Sequence, residues 1–310
     1  MKPRIVPALV VLPVAFVVFA LWLPGGDAAF LSFGNARLIA LQSVPLVIGS
    51  LGMMLVMAGR GADLGAGGAM TLAGALAAML AAAGMGPRGI FPVLLLGGIA
   101  AGMFNGAMTR AAPGSGLVIT FLAGALFQAL ARLLPEAQAA PPPIQEAMAL
   151  FPPFPWPWFA AGFWGALLLV LCVGGVLRHT LWGHHLLALG SNEEAARLCG
   201  IRVGRTRFFA MVAAGVLYAV AGGLLWGAKG SVEPENAPWL TLDLVSAALL
   251  GGAALEGGRA PVGGVVLGAV TVALVRNGVA LAGGHRTVAD LSIALLALGV
   301  LRLRASSRQA

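Results

Sequence analysis

Long apolar runs, almost free of charged residues, follow one another along this 310-residue chain and constrain its fold more than any other feature. Only 10% of the residues are charged, whereas a typical soluble domain is about 25% charged. So few charges could not keep the surface of a soluble domain of this size hydrated. The sequence therefore predicts an all-α integral membrane protein. It excludes soluble enzymes, nucleic-acid-binding proteins and secreted disulfide scaffolds.

The apolar runs are long enough for a polytopic bundle of transmembrane helices. A spanning helix needs about 20 apolar residues, because the hydrocarbon core of a bilayer is about 30 Å thick. The first of ten candidate spans is interpreted as a retained anchor, since its apolar run is longer than that of a signal peptide. The eighth is short and rich in small residues, so we expect it to be tilted, broken or half a span. The ten spans lie near residues 5–23, 38–58, 64–83, 90–108, 115–134, 158–177, 208–228, 244–257, 261–282 and 287–301.

The basic residues are unevenly divided between the two sides that these spans define. With the N-terminus inside, thirteen Lys and Arg residues fall in inner segments and five in outer segments, while Arg276 falls within a span. Since basic residues accumulate on the cytoplasmic side, both termini are predicted to be cytoplasmic. The net charge of +8 is then explained by orientation in the bilayer, without a nucleic-acid partner. We expect a single transmembrane domain over residues 1–310.

Two connecting segments stand out. Residues 135–157 are rich in proline and are predicted to form an extended, fairly stiff outer connection. Residues 178–207 form the longest inner loop, and a helix of about two turns is expected within it, near 191–200. An isolated helix that short is not stable in water. It must therefore pack on the protein's own inner face or dock into a groove on a cytoplasmic partner.

Both ends of this short helix carry typical capping residues. Ser191, followed three residues later by Glu194, matches the capping-box pattern. Glu193 and Glu194 lie in the first turn, where the helix dipole favours anions, and Gly200 suits a left-handed C-terminal cap. The remaining residues of the candidate helix are Asn192, Ala195, Ala196 and Arg197.

Motifs for chemistry within the chain itself are missing from the sequence. It has no G-x-x-x-x-G-K-[ST] phosphate loop, no G-x-S-x-G turn and no H-E-x-x-H helix. The adjacent pair His184 and His185 does not share a helix face, which disfavours a metal site. We therefore expect a chain that is not an enzyme and binds no metal or cofactor of its own.

Ionisable residues at membrane depth are costly and suggest function. Asp63, Asp243 and Asp290 lie near predicted span ends, where water can reach them, but Arg276 lies about six residues inside its span. Its side chain could snorkel outward, pair with Asp290 or Asp243, or face a polar pathway. A secondary carrier would normally carry carboxylates near its span centres, and their absence argues against that class.

Four blocks of sequence, in the right order between about 60 and 282, resemble the permease subunits of the ribose-type sugar ABC importers. This family is related to the branched-chain amino-acid ABC permeases. The family patterns are G-I-D-L-S-V-G, P-F-I-x-T-L, G-x-N-x-x-A-A-R-x-S-G-I and E-L-D…G-G-T-S-L-x-G-G-x-G…N-G-L. They are matched by 61–67, 117–122, 190–201 and a run from Leu242-Asp243 to Asn277-Gly278.

The chain departs from the family at several polar positions. Thr241 replaces an acidic residue, Ala253 and Ala254 replace Thr-Ser, and Arg276 replaces an Asn. The family's Arg-Gly after the second block is missing, and Gln128-Ala129 lies nearby. These changes remove polar side chains of the kind that contact a sugar, so a branched-chain amino acid, a nucleoside or a furanosyl signal stays open as the solute. An ATP-independent secondary carrier is the less favoured alternative.

The resemblance implies a multi-pass subunit of a bacterial plasma membrane that pairs with itself or with a sister permease. It implies a cytoplasmic ABC ATPase, which binds ATP and Mg²⁺, and an extracytoplasmic solute-binding protein. The helix at 191–200 would be the coupling helix that docks on the ATPase. The candidate pathway or structural residues are Asp63, Asp243, Arg276 and Asn277.

Overall fold

The computed structural model describes residues 7, 11–16, 30–112, 114–134, 161–229 and 233–309, and their regular secondary structure is helical. The predicted first span, 5–23, therefore lies mostly outside the described residues, and the Pro-rich segment 135–157 lies entirely outside them. The helices after residue 30 are α1 Phe33–Ala58, α2 Ala66–Ala82, α3 Pro87–Ala111, α4 Gly116–Arg132, α5 Ala161–His179, α6 Leu181–Ser191, α7 Glu193–Leu198, α8 Val203–Lys229, α9 Ala237–Leu250, α10 Val262–Leu281 and α11 Arg286–Gln309, with a 3₁₀ turn at Pro234–Asn236.

Several of these helices have the length and apolar composition to cross a bilayer. Within the described ranges there are five, at Phe33–Ala58, Pro87–Ala111, Gly162–His179, Val203–Ala228 and Val262–Leu281. Helices α2 and α4 are apolar but shorter, at 17 residues each. The all-α prediction and the membrane class are confirmed, whereas the count of ten spans and the side on which the termini lie stay predictions.

The eighth predicted span was placed wrongly. Instead of 244–257, helix α9 occupies Ala237–Leu250 and is 14 residues long, or about 21 Å at the helical rise. It is too short to cross a bilayer, as the sequence suggested. Pro238 in its first turn favours the earlier start. Gly252 follows the helix with a φ of +97°, which favours glycine and ends it.

The predicted inner loop 178–207 is mostly helical. It contains α6, which was not predicted, the shorter α7 and the start of α8. The candidate coupling helix is therefore Glu193–Leu198, inside the predicted 191–200. The last helix extends beyond its predicted end at 301 to Gln309.

Close contacts between small residues hold the bundle together. Helix α8 lies at its centre and packs on α1, α2 and α3. Along α3, Gly98 and Gly102 face the backbone of α8, where an added Cβ would lie within 2.7 Å of Gly215 O and 2.6 Å of Met211 O, respectively. The four-residue glycine spacing of this helix thus produces the close packing typical of membrane bundles.

The two ends of the bundle differ in their charged groups. We call the end that carries α7 the basic end; it also contains the C-terminal ends of α1, α3 and α5, and the start of α8. The opposite end contains the start of α9 and α11 and the carboxylates of Glu233, Glu235, Asp243 and Asp290. The exposed arginines Arg60, Arg110, Arg178, Arg202 and Arg205 lie at the basic end.

Candidate functional site

Helix α7 has only six residues but is capped at both ends. Asn192 is the N-cap, and its side-chain Oδ1 accepts a hydrogen bond from Ala195 N at 3.1 Å. At the other end Gly200 has a φ of +81°. Gly200 N donates to Arg197 O and Ile201 N donates to Ala196 O, which is the Schellman arrangement. The predicted left-handed glycine cap is confirmed.

The predicted capping box is wrong. Ser191 is the last residue of α6, and its hydroxyl donates back to Leu187 O at 2.9 Å. The N-cap is one residue later, because Asn192 has the extended backbone (φ −153°, ψ 107°) that an N-cap requires. Sequence pattern alone could not separate these neighbours, since Ser and Asn are both good N-caps.

Glu193 joins the short helix to the bundle. One carboxylate oxygen is 2.7 Å from Arg197 Nη2 within α7, and the other is 2.7 Å from Arg207 Nη2 on α8. Arg207 Nε also donates to Gly59 O at 2.9 Å, just after the end of α1. One carboxylate therefore links α7 through Arg207 to two long helices.

The ion pairs of Glu193 decide its protonation. Partial desolvation opposes ionisation, but the hydrogen bonds and positive charges of Arg207 and Arg197 outweigh it and hold the pKa of Glu193 below its ordinary value. The carboxylate is thus charged at neutral pH, and the link to α8 is an ionic one.

The junction between α6 and α7 is pressed against two other segments. Gly258 N donates to Ala58 O at 2.9 Å, which ties the loop after α9 to the end of α1. A Cβ added to Gly190 would overlap both Ala58 O and Gly258 N. Only glycine fits at 190, so the junction of α6 and α7 packs directly against the end of α1 and the loop 251–261.

The face of α7 that points away from the bundle, called its outer face below, has an apolar residue beside an acidic one. Ala196 is buried, whereas Glu194 is exposed and Leu198, one turn later, is 85% exposed. Glu194 was predicted from the sequence as a residue of this helix's site, whereas Leu198 was not. An apolar side chain four residues after Glu194 in a capped helix was the available signal.

At the opposite end, Arg276 lies in a buried ionic cluster. Its guanidinium donates to both oxygens of Asp243, from Nε at 2.9 Å and from Nη2 at 2.7 Å. Nη2 also donates to Asp290 Oδ1 at 2.7 Å. Of the three alternatives open for Arg276, pairing is the one observed, and it engages both acids. The cluster joins α9, α10 and α11.

The other candidate pathway residues lie apart from this cluster. Asn277 is next to Arg276 in the chain, but its Nδ2 donates to Asn35 Oδ1 on α1 at 2.9 Å. Asp63 is buried before α2, where its Oδ1 accepts from Gly65 N at 2.9 Å. The structure therefore brings Asp243 and Arg276 together, and it does not bring Asp63 to them.

Two threonines hold the irregular segment before α2 and the first turn of that helix. Thr120 Oγ1 on α4 accepts from Leu64 N at 3.2 Å, and Thr241 Oγ1 on α9 accepts from Gly67 N at 2.9 Å. Non-helical backbone in a membrane protein is tolerated where protein groups satisfy it. Thr241 was noted in the sequence only as a departure at a polar position; in the structure it supplies this hydrogen bond.

These features define a class: a polytopic helical membrane protein with a short, capped helix braced at one end of its bundle. Residues 35–301 match the family described as "Branched-chain amino acid transport system / permease component". The chain belongs to this family. It is a permease component of an ABC transporter and a multi-pass protein of the bacterial plasma membrane.

Several curated relatives are similar to this chain over most of their length. The chain is 31% identical over 253 residues to a "Probable ABC transporter permease protein" of Sinorhizobium fredii, covering 82% of this chain and 76% of that protein. It is 29% identical over 266 residues to the ribose import permease protein of Escherichia coli, covering 82% and 80%. It is 28% identical over 275 residues to the autoinducer 2 import system permease protein of Yersinia pseudotuberculosis, covering 89% and 78%. No solved structure matches the chain significantly.

Proposed function

We propose that this chain forms the membrane pathway of an ABC importer for a sugar, most simply a monosaccharide. Its family membership establishes the transporter class, and the ribose import permease, similar over 82% of this chain, supports the solute class. The observation that carries the coupling mechanism is α7, a capped helix that is ionically tied to the bundle and exposes Glu194 and Leu198.

In this proposal α7 is the coupling helix and lies in a groove of a cytoplasmic ATPase. The coupling residues are Ser191, Asn192, Glu193, Glu194, Ala195, Ala196, Arg197 and Gly200, to which we add Leu198. Glu194 and Leu198 face the ATPase, while Glu193 faces inward to Arg207. Movement of the ATPase then displaces α7 as a rigid element, and Arg207, Gly59 and Gly190 carry the displacement into α8 and α1. The bundle responds by shifting between two packings.

The remaining parts of the assembly follow from the same proposal. Two permease subunits, identical or paired with a sister chain, form the pathway, and a solute-binding protein delivers the sugar. ATP and Mg²⁺ bind the ATPase subunit, so this chain acts without an enzyme activity or a cofactor of its own. We propose one transmembrane domain with ten spans, of which α9 supplies only part of the eighth, and with both termini in the cytoplasm, because Lys and Arg favour that side.

The coupling role can be tested on the outer face of α7. In the assembled complex, Glu194→Arg and Leu198→Asp should leave membrane insertion unchanged and abolish stimulation of the ATPase by the loaded binding protein. Leu181→Asp is the matched control, because Leu181 is 79% exposed at the same end of the bundle but lies on α6. Unchanged stimulation in both α7 variants would remove α7 from the coupling path.

The solute class needs a separate test. Membranes expressing the chain with its ATPase and binding protein should show ATPase stimulation by one sugar from a panel of pentoses and hexoses. Leucine, a nucleoside and a furanosyl signal serve as the competing solutes. Stimulation by one of these instead would move the assignment to another solute on the same machine, and uptake without ATP would point to a secondary carrier.

A further inference from the structure

A second site lies at the basic end, beside α7 but not on its outer face. It is a cavity of about 660 Å³ between the end of α1, the α3–α4 turn and the start of α8. This volume is in the range of small-molecule and cofactor pockets. The lining combines guanidinium groups with apolar walls, and it includes Val56, Arg60, Arg110, Leu117, Arg197 and Arg207.

The positive charge of this cavity is only partly compensated. None of the described residues that line it is acidic. Glu193 neutralises part of the charge on Arg197 and Arg207. Arg60 and Arg110 have no carboxylate within ion-pair distance among the described side chains, and both are exposed. A cavity with two free guanidinium groups attracts an anion with several acceptor oxygens, such as a phosphate.

The backbone places Arg60 at the cavity. Arg60 has a φ of +61°, a left-handed conformation that residues other than glycine rarely adopt. It forms the C-terminal cap of α1, because Arg60 N donates to Met57 O and Gly61 N donates to Val56 O. Glycine would take this conformation without strain. An arginine at the cap instead brings a guanidinium group to the cavity.

An exposed apolar surface continues from the cavity along α4. Leu117 lines the cavity and is 55% exposed, and Phe121, one turn further along the helix, is 60% exposed. Val118 and Leu122 are equally exposed on the same helix. Arginines at a helix end beside an apolar face match the two parts of an anionic lipid, a phosphate headgroup and an acyl chain.

We propose that this cavity binds the phosphate headgroup of an anionic phospholipid, with an acyl chain lying along the exposed face of α4. Arg60 and Arg110 are the main headgroup ligands, with Arg197 and Arg207 behind them. A soluble acidic segment of a partner protein fits less well, because it would leave the apolar face of α4 unused. This inference does not depend on the solute or on the coupling role.

The test is lipid retention by the full-length protein purified in neutral detergent. Native mass spectrometry would count phosphatidylglycerol and phosphatidylcholine bound to the wild type and to Arg60→Gln/Arg110→Gln. Each basic residue near an anionic headgroup contributes roughly a factor of five, so phosphatidylglycerol binding should fall about 30-fold in the double variant. Arg178→Gln/Arg202→Gln removes two exposed arginines outside the cavity at the same end, and should retain the lipid.

Two further arms keep the result interpretable if the double variant folds poorly. Arg60→Gly removes one charge while relieving the backbone, so it should unfold no more easily than the wild type and still bind phosphatidylglycerol about five-fold more weakly. Inorganic phosphate is titrated as the free-anion probe. Equal lipid retention in the two double variants would overturn the proposal, as would phosphate binding without any preference for phosphatidylglycerol. Loss of ATPase-subunit binding with lipid retention unchanged would also overturn it and assign the cavity to the partner protein.

Discussion

Arg276 offers the sharpest test of how the opposite end is stabilised. The Arg276→Met variant removes the guanidinium from between Asp243 and Asp290, whose side chains are only 3% and 7% exposed. Two buried carboxylates would then face each other without their shared cation. Removing one partner of a buried ion pair typically destabilises a protein by about 3–5 kcal/mol. We expect Arg276→Met to lower the free energy of unfolding by this amount.

The magnitude can be separated from a general effect of mutation. Asp290→Asn removes one charge but leaves both Asp243 hydrogen bonds in place. The free energy of unfolding should therefore fall by only about 1.5–3 kcal/mol. Arg276→Met combined with Asp243→Asn removes the bidentate pair as a unit. Because replacing a whole buried pair is often nearly neutral, the double variant should be more stable than Arg276→Met alone.

Unfolding is measured by SDS titration in mixed micelles, followed by the loss of helical circular dichroism. Arg132→Met is the matched control, since Arg132 pairs with Glu235 at the same end but both side chains are more than half exposed. Such a surface pair contributes only about 0–1 kcal/mol. If Arg276→Met unfolds no more easily than Arg132→Met, the buried cluster does not stabilise this end and the reasoning fails.

Three further predictions concern the basic end and α2. Gly190→Ala should destabilise the protein by about 1–3 kcal/mol through overpacking and weaken ATPase stimulation. Gly175→Ala, with open space around it, should do neither. Equal behaviour of the two variants in both assays would contradict the close packing inferred at the junction of α6 and α7. Thr241→Val leaves Gly67 N buried without an acceptor and should lower the unfolding free energy by about 1–3 kcal/mol, and Thr241→Ser should restore it in the same SDS titration. The lowered pKa of Glu193 means that its ionic link is fully present above the ordinary value of 4.5 and is lost as pH falls through the lower folded value. ATPase stimulation should therefore not decline between pH 7 and 5 through loss of this link. A decline over that range in the wild type, but not in Glu193→Gln, would refute the ionic role of Glu193.

Much of the helical framework could be predicted from sequence. The span predicted at 38–58 begins five residues after the start of α1 and ends with it, and the one predicted at 261–282 is α10 almost residue for residue. Helices bounded by glycine or charge are easy to delimit, because apolar length and terminal residues both mark them. Helix α9 was misplaced, since small and apolar residues continue past its end at Leu250 and hide the boundary.

The sequence by itself determined the membrane class, the helical fold, the position of the short inner helix and its glycine cap at 200. These follow from local properties, namely hydropathy, spacing and the backbone freedom of glycine. It also named Asp290 and Asp243 as candidate partners of Arg276, but it left snorkelling and a polar pathway open as alternatives.

Only the tertiary structure decided which of these residues meet. Arg207 contacts Glu193 from 14 residues away and Gly59 from 148 away, and Thr241 reaches Gly67 across 174 residues. Such pairings depend on how the helices pack against one another, and chain spacing carries no information about them. The packing of α7 on the bundle also decides that Glu193 faces inward and that Leu198 is exposed, because the bundle covers only one side of this six-residue helix.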